Sequence, residues 1–97
     1  MTFETHYAAA IRIIAEIGSD VDIITVANVL RAAYKSTPEY ARSLRAVEER
    51  RFWLNQPQGD ERNRMLAIAE VELYAAEDVR KDVHRAYYEA QMAAPFI

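Results

Sequence analysis

The longest stretch of this chain without glycine or proline runs from residue 60 to residue 94, and it restricts the fold more than any other feature. Proline breaks helices and glycine weakens them, so a long run lacking both favours uninterrupted helix. Apolar residues recur there every three or four positions, the period of one helix face. They are Leu66, Ala69, Leu73, Ala76, Val83, Tyr87 and Ala90. We therefore predict a long C-terminal helix over 60–94, stopped by Pro95.

The apolar period of this helix is interrupted once. Position 80 should be apolar but holds Arg80, and Val79 lies one residue out of phase. A continuous helix would be roughly 50 Å long, whereas a compact chain of this size has a radius of gyration near ~13 Å. The first expectation is a break or sharp bend near 77–78. The alternative is a continuous helix with its far half covered by a partner chain.

Three shorter helices are predicted before the long one. Thr2 can cap the first, which should end at Gly18. Ser19 and Asp20 can cap the second, and Thr37 followed by Pro38 marks the third; Ser36 with Glu39 is an alternative cap for it. The expected inward residues are Phe3, Tyr7, Ala10, Ile11, Ile14 and Ile17 in the first helix, Ile23, Val26, Ala27, Leu30, Ala33 and Tyr34 in the second, and Tyr40, Ala41, Leu44, Val47 and Phe52 in the third.

No segment alternates apolar and polar residues as a half-buried strand does. The predicted fold class is therefore all-α, with four or five helices in one small bundle. At this length, residues 1–97 should form a single helical domain.

Composition excludes several classes of protein. The chain has no cysteine, which rules out disulfides and thiolate metal sites. No apolar run is long enough to span a membrane, and the acidic N-terminal segment does not resemble a secretion signal. A cytoplasmic protein is the resulting expectation. The net charge of −3 also argues against a strongly basic nucleic-acid-binding surface.

Catalysis and metal binding have no recognisable residue set. His6 and His84 are the only histidines, and neither has a second ligand at helical spacing. We expect both on the surface. No Glu-x-x-His motif typical of di-iron bundles is present, and two glycines cannot build a phosphate-binding loop. We predict no catalytic residues, no metal and no cofactor, and therefore a protein that is not an enzyme.

A helix-turn-helix is the alternative hypothesis for residues 25–51. Two short helices joined by a short turn carry arginines on the second helix, where DNA readers place donors for bases and phosphates. These are Arg42, Arg45, Arg50 and Arg51. Glu39, Glu48 and Glu49 lie among them and can pair with them within the helix. Nucleic-acid binding is therefore not the expected function.

The aromatic residues near the C-terminus suggest a contact surface. Tyr87 and Tyr88 are adjacent, so on a helix they point about 100° apart and cannot both face one small core. Tyrosine is enriched at interfaces. We predict a partner-binding patch formed by Arg85, Tyr87, Tyr88, Met92 and Phe96. Because the long helix exceeds one small core, this patch is also the predicted surface of a homodimer.

These observations favour a small protein-interaction module without enzymatic activity, which acts by occupying a surface of a protein partner. Phage-encoded inhibitors and adaptor subunits are among the small acidic helical proteins of this size and composition. The alternatives are the helix-turn-helix regulator and, third, a helical bundle that binds a ligand.

Overall fold

The computed structural model describes residues 2–18 and 21–93, and these residues form helices and no strand. The all-α prediction is confirmed. The described ranges contain four helices: α1 at Phe3–Ile17, α2 at Ile23–Lys35, α3 at Pro38–Leu54 and α4 at Asp60–Ala93.

Helix ends follow the capping residues that the sequence indicates. The Thr2 hydroxyl accepts a hydrogen bond from the Thr5 backbone N–H at 3.3 Å at the start of α1. Gly18 ends that helix with φ of 80°, a value that favours glycine. The Thr37 hydroxyl accepts from the Tyr40 N–H at 3.3 Å, and Pro38 is the first residue of α3. These three helix boundaries are therefore fixed by local chemistry.

The second helix begins differently from the prediction. The Asp22 carboxylate accepts a hydrogen bond from the Thr25 backbone N–H at 2.7 Å, and the Asp22 carbonyl accepts from the Val26 N–H. Asp22 therefore caps α2. The predicted caps, Ser19 and Asp20, lie outside the described residues.

The long helix α4 is continuous from Asp60 to Ala93, so the expected break near 77–78 is absent. Val79 explains the continuity, because it is buried with only 8% of its surface exposed and replaces Arg80 in the apolar stripe. A shift of one residue in the stripe needs no break in the backbone. The predicted stop at Pro95 lies outside the described residues.

The chain divides into two compact units that both include part of α4. Unit 1 contains α1, α2 and the part of α4 from Val79 onward. Its core is formed by Ala10, Leu30, Val79, Val83, Ala86, Tyr87 and Ala90. Phe3, Tyr7, Ile13, Ile14, Val26, Ala33 and Tyr34 pack against this core. The prediction of a single domain over 1–97 stays a prediction.

Unit 2, Ser36–Asp78, buries only small side chains among its described residues. They are Thr37, Ser43, Ala46, Ala69 and Ala76, which we call the small-residue seam. The seam lies on α3 with its N-cap Thr37 and on the first half of α4. At the end of α3 the Arg62 Nε atom donates a hydrogen bond to the Trp53 carbonyl at 3.0 Å. Small side chains at a helix contact let the two backbones approach closely. Large apolar residues of this hairpin then remain partly or largely exposed.

The prediction of the inward face of α3 is wrong by one residue. Leu44 and Val47 are 53% and 43% exposed, whereas their neighbours Ser43 and Ala46 are buried. Small side chains at a helix contact allow close packing, whereas a leucine at the seam would hold the backbones apart.

Further expectations about burial are wrong, since Ile11 and Ala41 are exposed rather than inward. Ile23 is 86% exposed, because it stands in the first turn of α2 beside the cap, and Ala27 of the same helix is also exposed. His6, expected on the surface, is only 5% exposed.

Candidate protein-binding surfaces

A groove in unit 1 brings together residues of α2 and the second half of α4. It has a volume of about 220 Å³. It is lined by Val21, Ile23, Val26, Ala27, Leu30, His84, Tyr87, Tyr88 and Gln91. Most of these side chains are apolar or aromatic, and Ile23 and Tyr88 are 86% and 53% exposed. The groove thus combines an apolar lining with large side chains already in contact with solvent.

A second pocket of about 210 Å³ adjoins this groove and is more basic. It shares Ala27 and His84 with the groove, and the two pockets together form what we call the α2–α4 groove. Arg31, Arg80 and Tyr34 complete its lining. One end of the α2–α4 groove is therefore apolar, and the other carries two guanidinium groups.

His84 holds a defined orientation where the two pockets meet. Its Nδ1 atom lies 2.9 Å from the Arg80 carbonyl oxygen. A carbonyl can only accept, so Nδ1 donates and carries a proton. The ring is thereby fixed between the apolar and basic ends.

Tyr87 and Tyr88 have different roles in the predicted patch. Tyr87 is 1% exposed, and its buried hydroxyl has no hydrogen-bond partner among the described residues. The Tyr88 ring packs edge-on against it, with centroids 5.6 Å apart and planes at 79°. Tyr87 therefore belongs to the core and supports Tyr88, which is the residue of this pair that faces solvent.

Three of the predicted patch residues, Arg85, Tyr88 and Met92, lie at spacings of three and four on α4 and share one exposed side of the helix. The Arg85 guanidinium lies 4.1 Å from the centroid of the Phe3 ring, a cation–π contact, and 3.5 Å from the Asp82 carboxylate. Met92 is 76% exposed. Phe96 lies outside the described residues. The structure joins Tyr88 to the groove, a link that the sequence did not reveal because the lining residues of α2 are distant in the chain.

The arginines of the alternative hypothesis do not share one face of α3. At 100° per residue, Arg42 and Arg51 point in opposite directions, and Arg45 and Arg50 lie about 140° apart. All four are exposed, and Arg51 lies 4.0 Å from Glu48. A helix that reads DNA needs its donors on one side. Nucleic-acid binding through these residues therefore stays a prediction, and their dispersal does not favour it.

Unit 2 has a further groove of about 350 Å³ beside the exposed side of α4. It is lined by Glu39, Arg42, Val71, Glu72 and Ala75. Next to it, Ile68, Val71 and Tyr74 are 50%, 67% and 68% exposed. These residues were not predicted as a site from the sequence, although their spacing of three along α4 places them on one side of the helix.

Within the described ranges, no three histidine or acidic side chains cluster so as to hold a metal ion. No helix there has the length and hydropathy needed to cross a membrane.

Comparisons of the chain with models of protein families, with curated protein sequences and with solved structures gave no match.

Proposed function

We propose that this protein is an interaction module without enzymatic activity, and that its α2–α4 groove binds a segment of a partner protein. What supports the proposal is the exposure of Ile23 and Tyr88 beside an apolar depression. Exposed large apolar side chains that flank a groove are typical of sites where a partner helix or loop docks.

The two ends of the groove suggest the chemistry of the partner segment. The apolar end, with Val26 and Leu30, suits a large apolar side chain. The basic end, with Arg31, suits a carboxylate, to which guanidinium groups bind well. We therefore propose a segment in which an apolar residue precedes or follows an acidic residue. A partner protein whose segment occupies the groove would thereby be recruited or inhibited.

Site-specific photocrosslinking tests this proposal. Benzoylphenylalanine replaces Tyr88 in one variant and, as a control, Glu89 in another; both residues are exposed and adjacent on α4 but point about 100° apart. Irradiation in cell extract should link position 88, and not position 89, to a discrete partner protein. Adding Arg31→Glu to the first variant should remove the crosslink. Equal labelling from both positions, or none from position 88, would contradict the proposal.

A further inference from the structure

The side of α4 that faces away from the seam of unit 2 carries an unbroken apolar strip. We call Ala67, Ile68, Val71, Tyr74 and Ala75 the outer strip. At 100° per residue these positions fall within about 120° of the helix circumference. All five are exposed, while Ala69 and Ala76 on the opposite side are buried. Apolar residues so exposed on a small helical hairpin indicate a surface that is normally covered.

Two charges at the ends of the outer strip are placed symmetrically about its centre. Arg64 precedes Val71 by seven positions and Asp78 follows it by seven, and both are exposed on the same side of α4. Glu70 and Glu72 lie outside the strip, about 100° to either side of Val71, and border its centre with negative charge. A basic end and an acidic end at equal distances from the centre make this surface complementary to itself when one copy is reversed.

We propose that a second copy of this chain covers the outer strip, with the two α4 helices antiparallel and a two-fold axis at Val71. In this arrangement Val71 packs on its own equivalent. Ile68 meets Tyr74 of the second copy, and Ala67 meets Ala75. Arg64 then lies opposite Asp78 at both ends of the contact. A two-fold interface must be self-complementary in this way.

The strip is suited to close helix packing. Ala67 and Ala75 stand at the two ends of the strip and pair with each other, while the larger Ile68, Val71 and Tyr74 fill its centre. A contact made by this strip and its two end charges is small for a specific interface. Glu70 and Glu72 would also stand beside their own equivalents at its edges, where like charges repel. We therefore expect a reversible dimer with a dissociation constant in the micromolar range.

This dimer surface differs from the α2–α4 groove and from the predicted C-terminal patch. The second half of α4 already has cover, because Val79, Val83 and Tyr87 are buried in the core of unit 1. The outer strip has no such cover in unit 2. Self-association and partner binding are thus assigned to different surfaces and can be tested separately.

A charge exchange tests the symmetry of the proposed contact. Sedimentation equilibrium of the native chain should give a mass near twice 11.1 kDa at high micromolar concentration. Arg64→Asp or Asp78→Arg alone places like charges opposite each other and should weaken the dimer about tenfold. The double variant restores opposite charges and should dimerise within about threefold of the native chain. Both positions are exposed, so folding should not suffer.

Disulfide trapping tests the two-fold axis independently. The native chain has no cysteine, so each variant carries one thiol. Under mild oxidation Val71→Cys should form a linked dimer, because the two thiols meet at the axis. Ala67→Cys should not, because its equivalents would be about 12 Å apart along the helices. A monomeric native chain, single charge variants that dimerise normally, or equal trapping at both positions would overturn the proposal.

Discussion

At the residue scale, Asp22 shows how capping a helix changes the pKa of the capping side chain. The backbone N–H of Thr25, and then its hydroxyl, hydrogen-bond to the carboxylate and lower the pKa of Asp22 below its ordinary value of 3.8. A group with a lowered pKa in the folded protein stabilises the fold fully above its ordinary pKa. That stabilisation is lost as the pH falls through the lowered value.

We expect a carboxyl NMR titration to place the pKa of Asp22 below 3.8. Asp22→Asn is the matched control, because asparagine caps helices about as well but does not titrate. On acidification, the native chain should lose helicity in α2 in a titration step that the Asp22→Asn variant does not show. Identical acid titrations of helicity in the two proteins would contradict this role of Asp22.

Leu30 and Leu44 give a second prediction at this scale, since they carry the same side chain in opposite environments. Leu30 is 2% exposed in the core of unit 1, and Leu44 is 53% exposed on α3. Leu30→Ala should lower the free energy of unfolding by about 2–5 kcal/mol. Leu44→Ala should cost less than about 1 kcal/mol. Urea unfolding of both variants measures the difference, and equal losses would mean that the environments are misassigned.

At the scale of the element, the small-residue seam determines how α3 packs on α4. Ala46 is 1% exposed at the seam, whereas Ala41 on the same helix is exposed. Ala46→Leu should overpack the contact and destabilise the protein by about 1–3 kcal/mol. Ala41→Leu adds the same atoms on the solvent side and should change the stability by less than about 0.5 kcal/mol. Thermal unfolding at one low protein concentration distinguishes them.

The four helices also show which structural features could be predicted from the sequence and which could not. The caps at Thr2 and Thr37 were predictable because they depend on residues three positions away. The stripe of α4 was predictable because large and small apolar residues share one period. The inward face of α3 was not, because its buried positions hold serine and alanine while leucine and valine lie outside. Which side of α3 faces a neighbour depends on the second helix.

The candidate sites were less predictable than the helices. Tyr88 was identified from its neighbour Tyr87, since adjacent helical positions diverge. The groove partners Ile23 and Arg31 were missed, because their distance from Tyr88 in the chain gives no local signal. Ile23 was even expected in the core. An exposed isoleucine beside a cap can be recognised only when the fold shows what lies next to it.

At the scale of the whole molecule, the two units differ in what they bury. Unit 1 buries Leu30, Val83 and Tyr87, whereas the seam of unit 2 buries nothing larger than threonine. Burial of large apolar side chains supplies most of the stability of a fold. Unit 2 should therefore open locally at a lower free energy than unit 1.

Hydrogen exchange measured by mass spectrometry at low micromolar concentration tests this difference within a single helix. Amides of residues 80–90 in α4 should be protected more strongly than those of residues 64–76. The comparison is internal, because both segments belong to one continuous helix and the temperature and pH are the same. Uniform protection along α4 would show that the helix opens as a unit.

The small-residue seam also has a consequence for how this chain can vary. At Ser43, Ala46, Ala69 and Ala76, we expect the permitted side chains to be limited by size rather than by polarity, because these buried positions of unit 2 hold only small side chains. Serine and alanine should replace each other there without loss of folding. Leucine or valine, which are common inside proteins, should destabilise the fold at these positions. In a saturation-mutagenesis library selected for folding, these positions should tolerate few substitutions, as buried positions do. The residues that they accept should nevertheless be small or polar ones, which are common on protein surfaces.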